Sequence, residues 1–201
     1  MTDPEQTVHS LAEAHLYAAM LPCRACSTLG LLIIRSDEAE DGPSRRLRVR
    51  TLCEGCGEET ELDFAAPTEV DLRPETVSRI PVVINATQRP SELLDPGQWL
   101  TLYRIALEAA EKLSDKTLAR AVRLEAGQCL AEALRFYPAD SDVPPVAAFF
   151  SAETLRRFRD HPHLFARQRL IDLAAKLPVQ AGESSAPVST DRPPNTKWWL
   201  R

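Results

Sequence analysis

Apolar residues recur from the start of the chain at Val8, Leu11, Ala12, Leu16 and Ala19, with His15 among them, the spacing of one helical face. Asp3 before Pro4 supplies an N-cap with proline in the first turn, and Pro22 closes the run. The pattern predicts an amphipathic helix over residues 4–20. The period then changes. Thr28 to Arg35 and Arg45 to Leu52 read as two strands of a hairpin, joined by SDEAEDGPS, whose Asp, Gly, Pro and Ser mark a turn. Leu47 and Val49 alternate with Arg46, Arg48 and Arg50, while in GEETELDF Thr60, Leu62 and Phe64 alternate with Glu61 and Asp63, so a third strand is expected. The first strand is apolar on both faces, with Leu31 and Ile33 opposed to Leu32 and Ile34. A bare ribbon cannot cover two apolar faces, so one of them is expected to pack on the N-terminal helix or on the helical part.

A proline-rich connector, with VVIN as a short strand candidate, leads to helical spacing from Ser91. Trp99, Leu102, Tyr103, Ala106, Ala110 and Leu113 define one stripe. After a short SDK break, Leu118, Val122, Ala126, Cys129, Leu130, Ala133 and Phe136 define another, ending at Pro138. So short a break implies an antiparallel helical hairpin. A short helix from Ser151 to Asp160 and a longer one from Pro162 to Leu177 are expected beyond it. The stretch AGQCLAEALRFYP resembles the second helix of a tetratricopeptide repeat. The SDK turn falls inside what would be the first helix and no second copy occurs, so an ordinary helical bundle is expected. The predicted class is α+β. Its parts are an N-terminal helix (1–20), a ribbon (21–64), a connector (65–90), a helical domain (91–178) and a polar tail (179–201) ending in Trp198 and Trp199.

Chemistry enters through LPCRACS and LCEGCG, two Cys-x-x-Cys pairs. One such pair aims two sulfurs at one ion, which is half of the tetrahedral shell that zinc prefers. Between Cys26 and Cys53 lie 26 residues, room for a hairpin that returns the chain to its start and completes the shell. The arrangement resembles the zinc-ribbon group over residues 21–64: a knuckle, a hairpin, and a second knuckle of the form Cys-x-x-Cys-Gly. The resemblance implies one structural Zn2+ held by Cys23, Cys26, Cys53 and Cys56, and a metal on which the small sheet depends for folding. Ser27 stands where glycine is frequent, so a less regular first turn is expected there. Rubredoxin-like iron and a redox role are competing readings, disfavoured because only Phe64 is aromatic in the segment and no thioredoxin-like context surrounds the pairs. The Pro-Cys-x-x-Cys half of a zinc deaminase signature is present too, but neither His9 nor His15 is followed by the x-Glu that such a site needs.

Charge and composition narrow the rest. The 201 residues are 44% hydrophobic and carry a formal charge of −5, which disfavours a generic nucleic-acid binder. The opening MTDPEQTV has no basic or apolar run and no apolar stretch approaches membrane-spanning length, so a cytoplasmic address without membrane association is expected. No serine triad order, phosphate-loop glycine pattern or His-Glu-x-x-His occurs. The expectation is a non-enzymatic adaptor or accessory subunit that binds another protein through its helical domain or its tail, with Trp198, Trp199, Phe149 and Phe150 as contact candidates. The alternative is nucleic-acid binding through Arg46, Arg48 and Arg50 on the second strand and Arg156, Arg157, Arg159, Arg167 and Arg169 in the basic segment 154–170.

Overall fold

The computed structural model describes residues 6–41, 44–70, 72, 84–85 and 87–178. The described residues make an α+β arrangement, with one three-stranded antiparallel sheet and five α-helices among them: α1 (Leu11–Met20), β1 (Leu32–Asp41), β2 (Ser44–Leu52), β3 (Glu59–Ala66), α2 (Pro96–Lys112), α3 (Lys116–Leu134), α4 (Ala152–Asp160) and α5 (Arg167–Ala174). Single turns of 3-10 helix, Val146–Ala148 and Pro162–Phe165, precede α4 and α5. Among the described residues no helix is long and apolar enough to cross a membrane.

Several elements differ from the sequence pattern for identifiable reasons. The first helix begins at Leu11, because Ser10 caps it by accepting from the Glu13 amide, and Gln6 to Val8 instead run beside β3. Asp3 and Pro4 lie outside the described residues. β1 starts later than Thr28, because Thr28 and Gly30 close the first knuckle, and it continues through the acids expected to form a turn. Those acids fit the strand because the facing strand is basic: Asp37 is opposite Arg48 and Glu38 opposite Leu47, beside Arg45 and Arg46. Only residues 42 and 43 separate β1 from β2. The register slips between Ile33 and Arg35, a bulge that leaves Ile34 46% exposed while Ile33 packs inward. One apolar side of β1 is therefore covered and part of the other is not.

α2 starts at Pro96 and not at Ser91, because Asp95 and Gln98 form a capping box around its first turn. The expected helix 162–177 is divided at Ala166 into the 3-10 turn and α5. The α2–α3 pair is the antiparallel hairpin the short SDK break implied, and its two stripes meet in the core: Trp99, Leu102, Ala106 and Ala110 face Val122, Ala126, Cys129, Leu130 and Ala133, all buried. The same buried cluster contains Val8, Leu11 and Leu16 from the N-terminal segment and Leu47, Val49 and Phe64 from the sheet. The sheet therefore has an inner face embedded in the main core. Tyr17 and Phe64 pack edge to face, 5.9 Å between ring centres, where α1 lies against it.

Buried polar groups add to this packing. The His9 amide donates to Glu13 Oε2 (2.6 Å), Ser10 Oγ donates to the Ile84 carbonyl, and Asn85 Nδ2 donates to Glu132 Oε2 (2.8 Å). Burial raises the Glu13 carboxyl to about 7, and burial likewise raises Glu132 to about 7. Asp95 is fully buried and ties two helices together. Its Oδ1 accepts from the Gln98 amide (2.9 Å), and its Oδ2 accepts from the amides of Phe150 and Ser151 (3.1 Å each) and from Thr154 Oγ1 (2.5 Å). Gly97 permits that approach, since a Cβ there would lie 2.6 Å from Thr154 Cβ.

Candidate metal centre

The two cysteine pairs lie on knuckles with the same local structure. In the first, the Cys23 amide donates to the Thr28 carbonyl (2.8 Å) and the Ser27 amide to the Cys23 carbonyl (2.8 Å). In the second, the Cys53 amide donates to the Glu58 carbonyl (2.9 Å) and the Gly57 amide to the Cys53 carbonyl (2.8 Å). Each turn needs a left-handed residue at its fifth position. Gly57 supplies it at φ 78, and Ser27 supplies it at φ 60 despite its side chain. The first knuckle is thus as regular as the second, contrary to the sequence expectation, and the strain at Ser27 is the local cost.

The hairpin then closes the site. Leu32 pairs with Leu52, so the residues flanking each knuckle are neighbours at one end of the sheet. The C-terminus of α1 fixes this end: the Ala18 carbonyl accepts from the amides of Leu21 and Leu31, and the Leu21 carbonyl accepts from Gly30. Between the knuckles the approach is close. A Cβ at Gly55 would meet Thr28 Oγ1 at 2.7 Å, so glycine is required there by space.

The outcome is a cluster of Cys23, Cys26, Cys53 and Cys56 whose sulfurs all lie within 4.8 Å of one another. The Cys23–Cys56 and Cys26–Cys53 sulfurs are each 3.6 Å apart. A disulfide needs about 2.05 Å, whereas a tetrahedron of sulfurs around zinc, at a bond length of about 2.3 Å, has edges of about 3.8 Å. The donor set and its spacing fit a metal ion, in an arrangement compatible with a zinc-ribbon-like site. Cys23 and Cys53 are buried, Cys26 and Cys56 exposed, so an ion would sit at the rim with one sulfur of each knuckle inside.

Electrostatics support the same use. Hydrogen bonding with the Thr28 side chain and backbone pulls the Cys26 thiol down to about 6. Cys56 is assisted by the Glu58 backbone, yet the Cys26 sulfur, burial and the other two sulfurs outweigh it and push the thiol up to about 12. One thiolate forms readily and resists its neighbours' ionisation, and a divalent cation removes that conflict. Cys129, the fifth cysteine, lies wholly inside the helical core, where burial raises its thiol well above the ordinary range. It is a packed side chain.

The remaining predicted residues are distributed differently. Phe149 belongs to the core, stacked on Phe158 (4.6 Å) and edge-on to Phe165 (5.5 Å). This corrects its reading as contact surface: the aromatic payload of Phe149 is already spent on α4 and the 3-10 turn. Phe150 is 51% exposed and lines a cleft of about 460 Å³ with Gln6, Tyr17, Leu21, Glu92, Leu93 and Gln98. Trp198 and Trp199 lie outside the described residues. Arg46 lies 3.0 Å from Asp63, Arg48 3.2 Å from Glu61, and Arg50 4.0 Å from Glu59. Arg167 is used internally: it donates to the carbonyls of Tyr137, Pro138 and Ala139 and lies over the Tyr137 ring at 5.6 Å. Arg156, Arg159 and Arg169 are exposed, and Arg157 is half-buried.

Sequence reasoning missed Thr28, Gly55 and Asp95. Aligning the knuckles on their cysteines would have placed Thr28 opposite Glu58 as the residue serving the outer sulfur, and the DPGQ spacing announced the cap at Asp95. No family model, curated protein or solved structure matches the chain.

Proposed function

We propose that the chain is a zinc-ribbon protein that acts as an adaptor or accessory subunit, with one structural Zn2+ on Cys23, Cys26, Cys53 and Cys56 and a helical bundle that receives another protein. The 3.6 Å sulfur spacing supports the metal. Zinc is favoured over iron because the cluster around the sulfurs is aliphatic, composed of Ala18, Leu21, Leu31 and Ile33 with the cysteines, without the aromatic surround of a rubredoxin-like site. Four thiolates fill a zinc shell and leave no position for a reacting water, which supports a structural role over catalysis.

The observation that carries the adaptor reading is the exposed Phe150 beside the cleft, where α1, the segment before α2 and the start of α4 meet. Phe150 meets Phe136 edge to face at 6.3 Å, and Tyr17, Leu21 and Leu93 line the cleft beside polar Gln6, Glu92 and Gln98. An exposed aromatic among apolar and polar lining residues is the composition of a protein contact. Zinc-loaded tagged protein should retain a reproducible set of partners that Phe150→Asp loses at unchanged melting temperature and zinc content. An unchanged set would remove the cleft from the account. A second variant lacking residues 190–201 assigns the contribution of the Trp198–Trp199 tail.

A further inference from the structure

Cations are treated differently in the two halves of this molecule. On the strands of the ribbon the arginines have acids: Arg35 lies 2.6 Å from Asp37, Arg46 3.0 Å from Asp63, Arg48 3.2 Å from Glu61, Arg50 4.0 Å from Glu59, and Arg45 pairs with Glu38. At the corner formed by α4, the 3-10 turn and α5 the reverse holds. Among the described residues no carboxylate lies within ion-pair distance of Arg156, Arg157, Arg159 or Arg169. Residues 151–178 contain Arg156, Arg157, Arg159, Arg167, Arg169 and Lys176 against Glu153, Asp160 and Asp172, a local surplus of +3 in a chain of net −5.

The fold also concentrates this charge. Arg157 Nη1 is 3.4 Å from Thr101 Oγ1 on α2, which seats its half-buried guanidinium in the notch between α2 and α4. Arg104 follows Thr101 by one helical turn and is 61% exposed, its one acid, Glu108, at 3.9 Å. Burial, then Arg104 and, more weakly, Arg169 hold the Arg157 guanidinium below its usual range against the opposing pull of Glu153, so cations on α2 and α5 act on one on α4. Folding gathers more cations than acids here, with Glu108 beside Arg104 and Glu153 acting on Arg157 as partial counter-charges, an arrangement that a polyanion would relieve.

We propose that Arg104, Arg157 and Arg169, with Arg156 and Arg159 beside them, form a binding surface for the phosphodiester backbone of a nucleic acid. The surface is separate from the metal centre and does not rest on the adaptor reading. The cations that converge are all guanidiniums, whose planar forks match phosphate oxygens in pairs. Exposed His161 and His163 join α4 to α5 with their rings edge to face at 6.0 Å, flat surfaces next to the charge on which unpaired bases can stack. The ribbon stripe, which the sequence offered as an equal candidate, has its charge answered by β3 and is not part of this surface.

The test is fluorescence anisotropy of the full zinc-loaded chain with a labelled single-stranded RNA of roughly 20 nucleotides, near 50 mM salt and then up to about 200 mM. Arg104→Gln/Arg157→Gln/Arg169→Gln should weaken binding at least about tenfold and flatten the salt dependence by about two units of log–log slope. Arg46→Gln/Arg48→Gln/Arg50→Gln should change affinity less than about twofold. If the triple variant folds poorly, Arg104→Gln/Arg169→Gln, at two exposed positions and with an unchanged melt, should still weaken binding at least about threefold, and equal binding would overturn the proposal. Absence of binding at the lower salt, an equal loss from the ribbon variant, or a poly-glutamate peptide that binds as tightly as the RNA would each overturn the proposal.

Discussion

The knuckle end of the sheet and the α2–α3 hairpin solve the same problem with different materials. Around the sulfurs the buried apolar set is only Ala18, Cys23, Leu31 and Cys53, with Leu21 and Ile33 against it. Around α2 and α3 it includes Trp99, Leu102, Leu130, Phe165 and Leu170, none more than 1% exposed. The first end is too thin to hold by burial alone and has ligand atoms where the second has side-chain volume. Between them, Leu47, Val49 and Phe64 carry the sheet's inner face into the main core, so the proposed metal has a narrower task than the sequence suggested. On the proposed reading it would order the knuckles of a sheet that is already supported along its middle.

The largest effect that separates the two regions is metal removal. A strong chelator should speed amide exchange at least about a hundredfold at Cys23, Ser27, Cys53 and Gly57, the knuckle donors, given that structural zinc supplies on the order of 10 kcal/mol. Amides in α2 and α3 should change little. If the helices lose protection together with the knuckles, the two regions are one cooperative unit and the contrast fails.

Next in size is Asp95→Ala, which acts on the helical side alone. It removes the cap of α2, takes the acceptor from the partly buried amides of Phe150 and Ser151 just before α4, and breaks the buried bond from Thr154 Oγ1. The expected loss is about 3 to 4 kcal/mol in denaturant unfolding, with zinc content unchanged. A loss below about 1 kcal/mol would show that water replaces the carboxylate and that the helices do not depend on it.

Glu13→Gln tests the polar seam that joins α1 to the helical half. The wild-type carboxyl is raised to about 7 by burial, whereas an unfolded chain ionises near 4.5. The folded state therefore keeps a proton that the unfolded state releases across that window. Its contribution is fully present below pH 4.5, is lost as pH rises toward 7, and leaves the folded form at a disadvantage above. Glutamine does not titrate, so the variant should equal wild type near pH 4.5 and exceed it by on the order of 2 kcal/mol at pH 8. A gain that is the same at both pH values would mean that the effect is packing and not ionisation.

The smallest effect returns to the knuckles. Ser27→Gly removes left-handed strain at φ 60 and should stabilise the metal-loaded protein by about 0.5 kcal/mol, the relief being partly offset by glycine's entropy in the unfolded chain. Gly57→Ala should destabilise by a similar or larger amount although nothing lies within 4 Å of a Cβ there, because the backbone at φ 78 is the only objection.

What could be read from the sequence was what periodicity and spacing encode locally. The alternation of Leu47, Arg48, Val49 and Arg50 gave the faces of β2, and the stripes from Trp99 and from Leu118 gave the α2–α3 interface, because side-chain direction follows directly from strand and helix geometry. The Cys-x-x-Cys spacings gave the sulfur cluster for the same reason. Long-range partners were not encoded in this way. Asp95 reaches residues 150 to 154, Arg157 meets Thr101, and His9 to Glu13 enter the core beside Ile84 and Asn85, all contacts set by tertiary packing and visible in no window of sequence. The β1 boundary was misplaced because a run of acids reads as a turn until its basic partner strand is known. Phe149 and Phe150 look alike in sequence, yet one packs against α4 and the other faces the cleft.

The central claim is that sulfur from two knuckles encloses one divalent ion. X-ray absorption at the zinc edge, on protein purified under reducing conditions with its metal content measured, tests it most directly. The account predicts one zinc per chain with four sulfur neighbours at about 2.3 Å; substoichiometric metal, or nitrogen or oxygen in the inner shell, would contradict it.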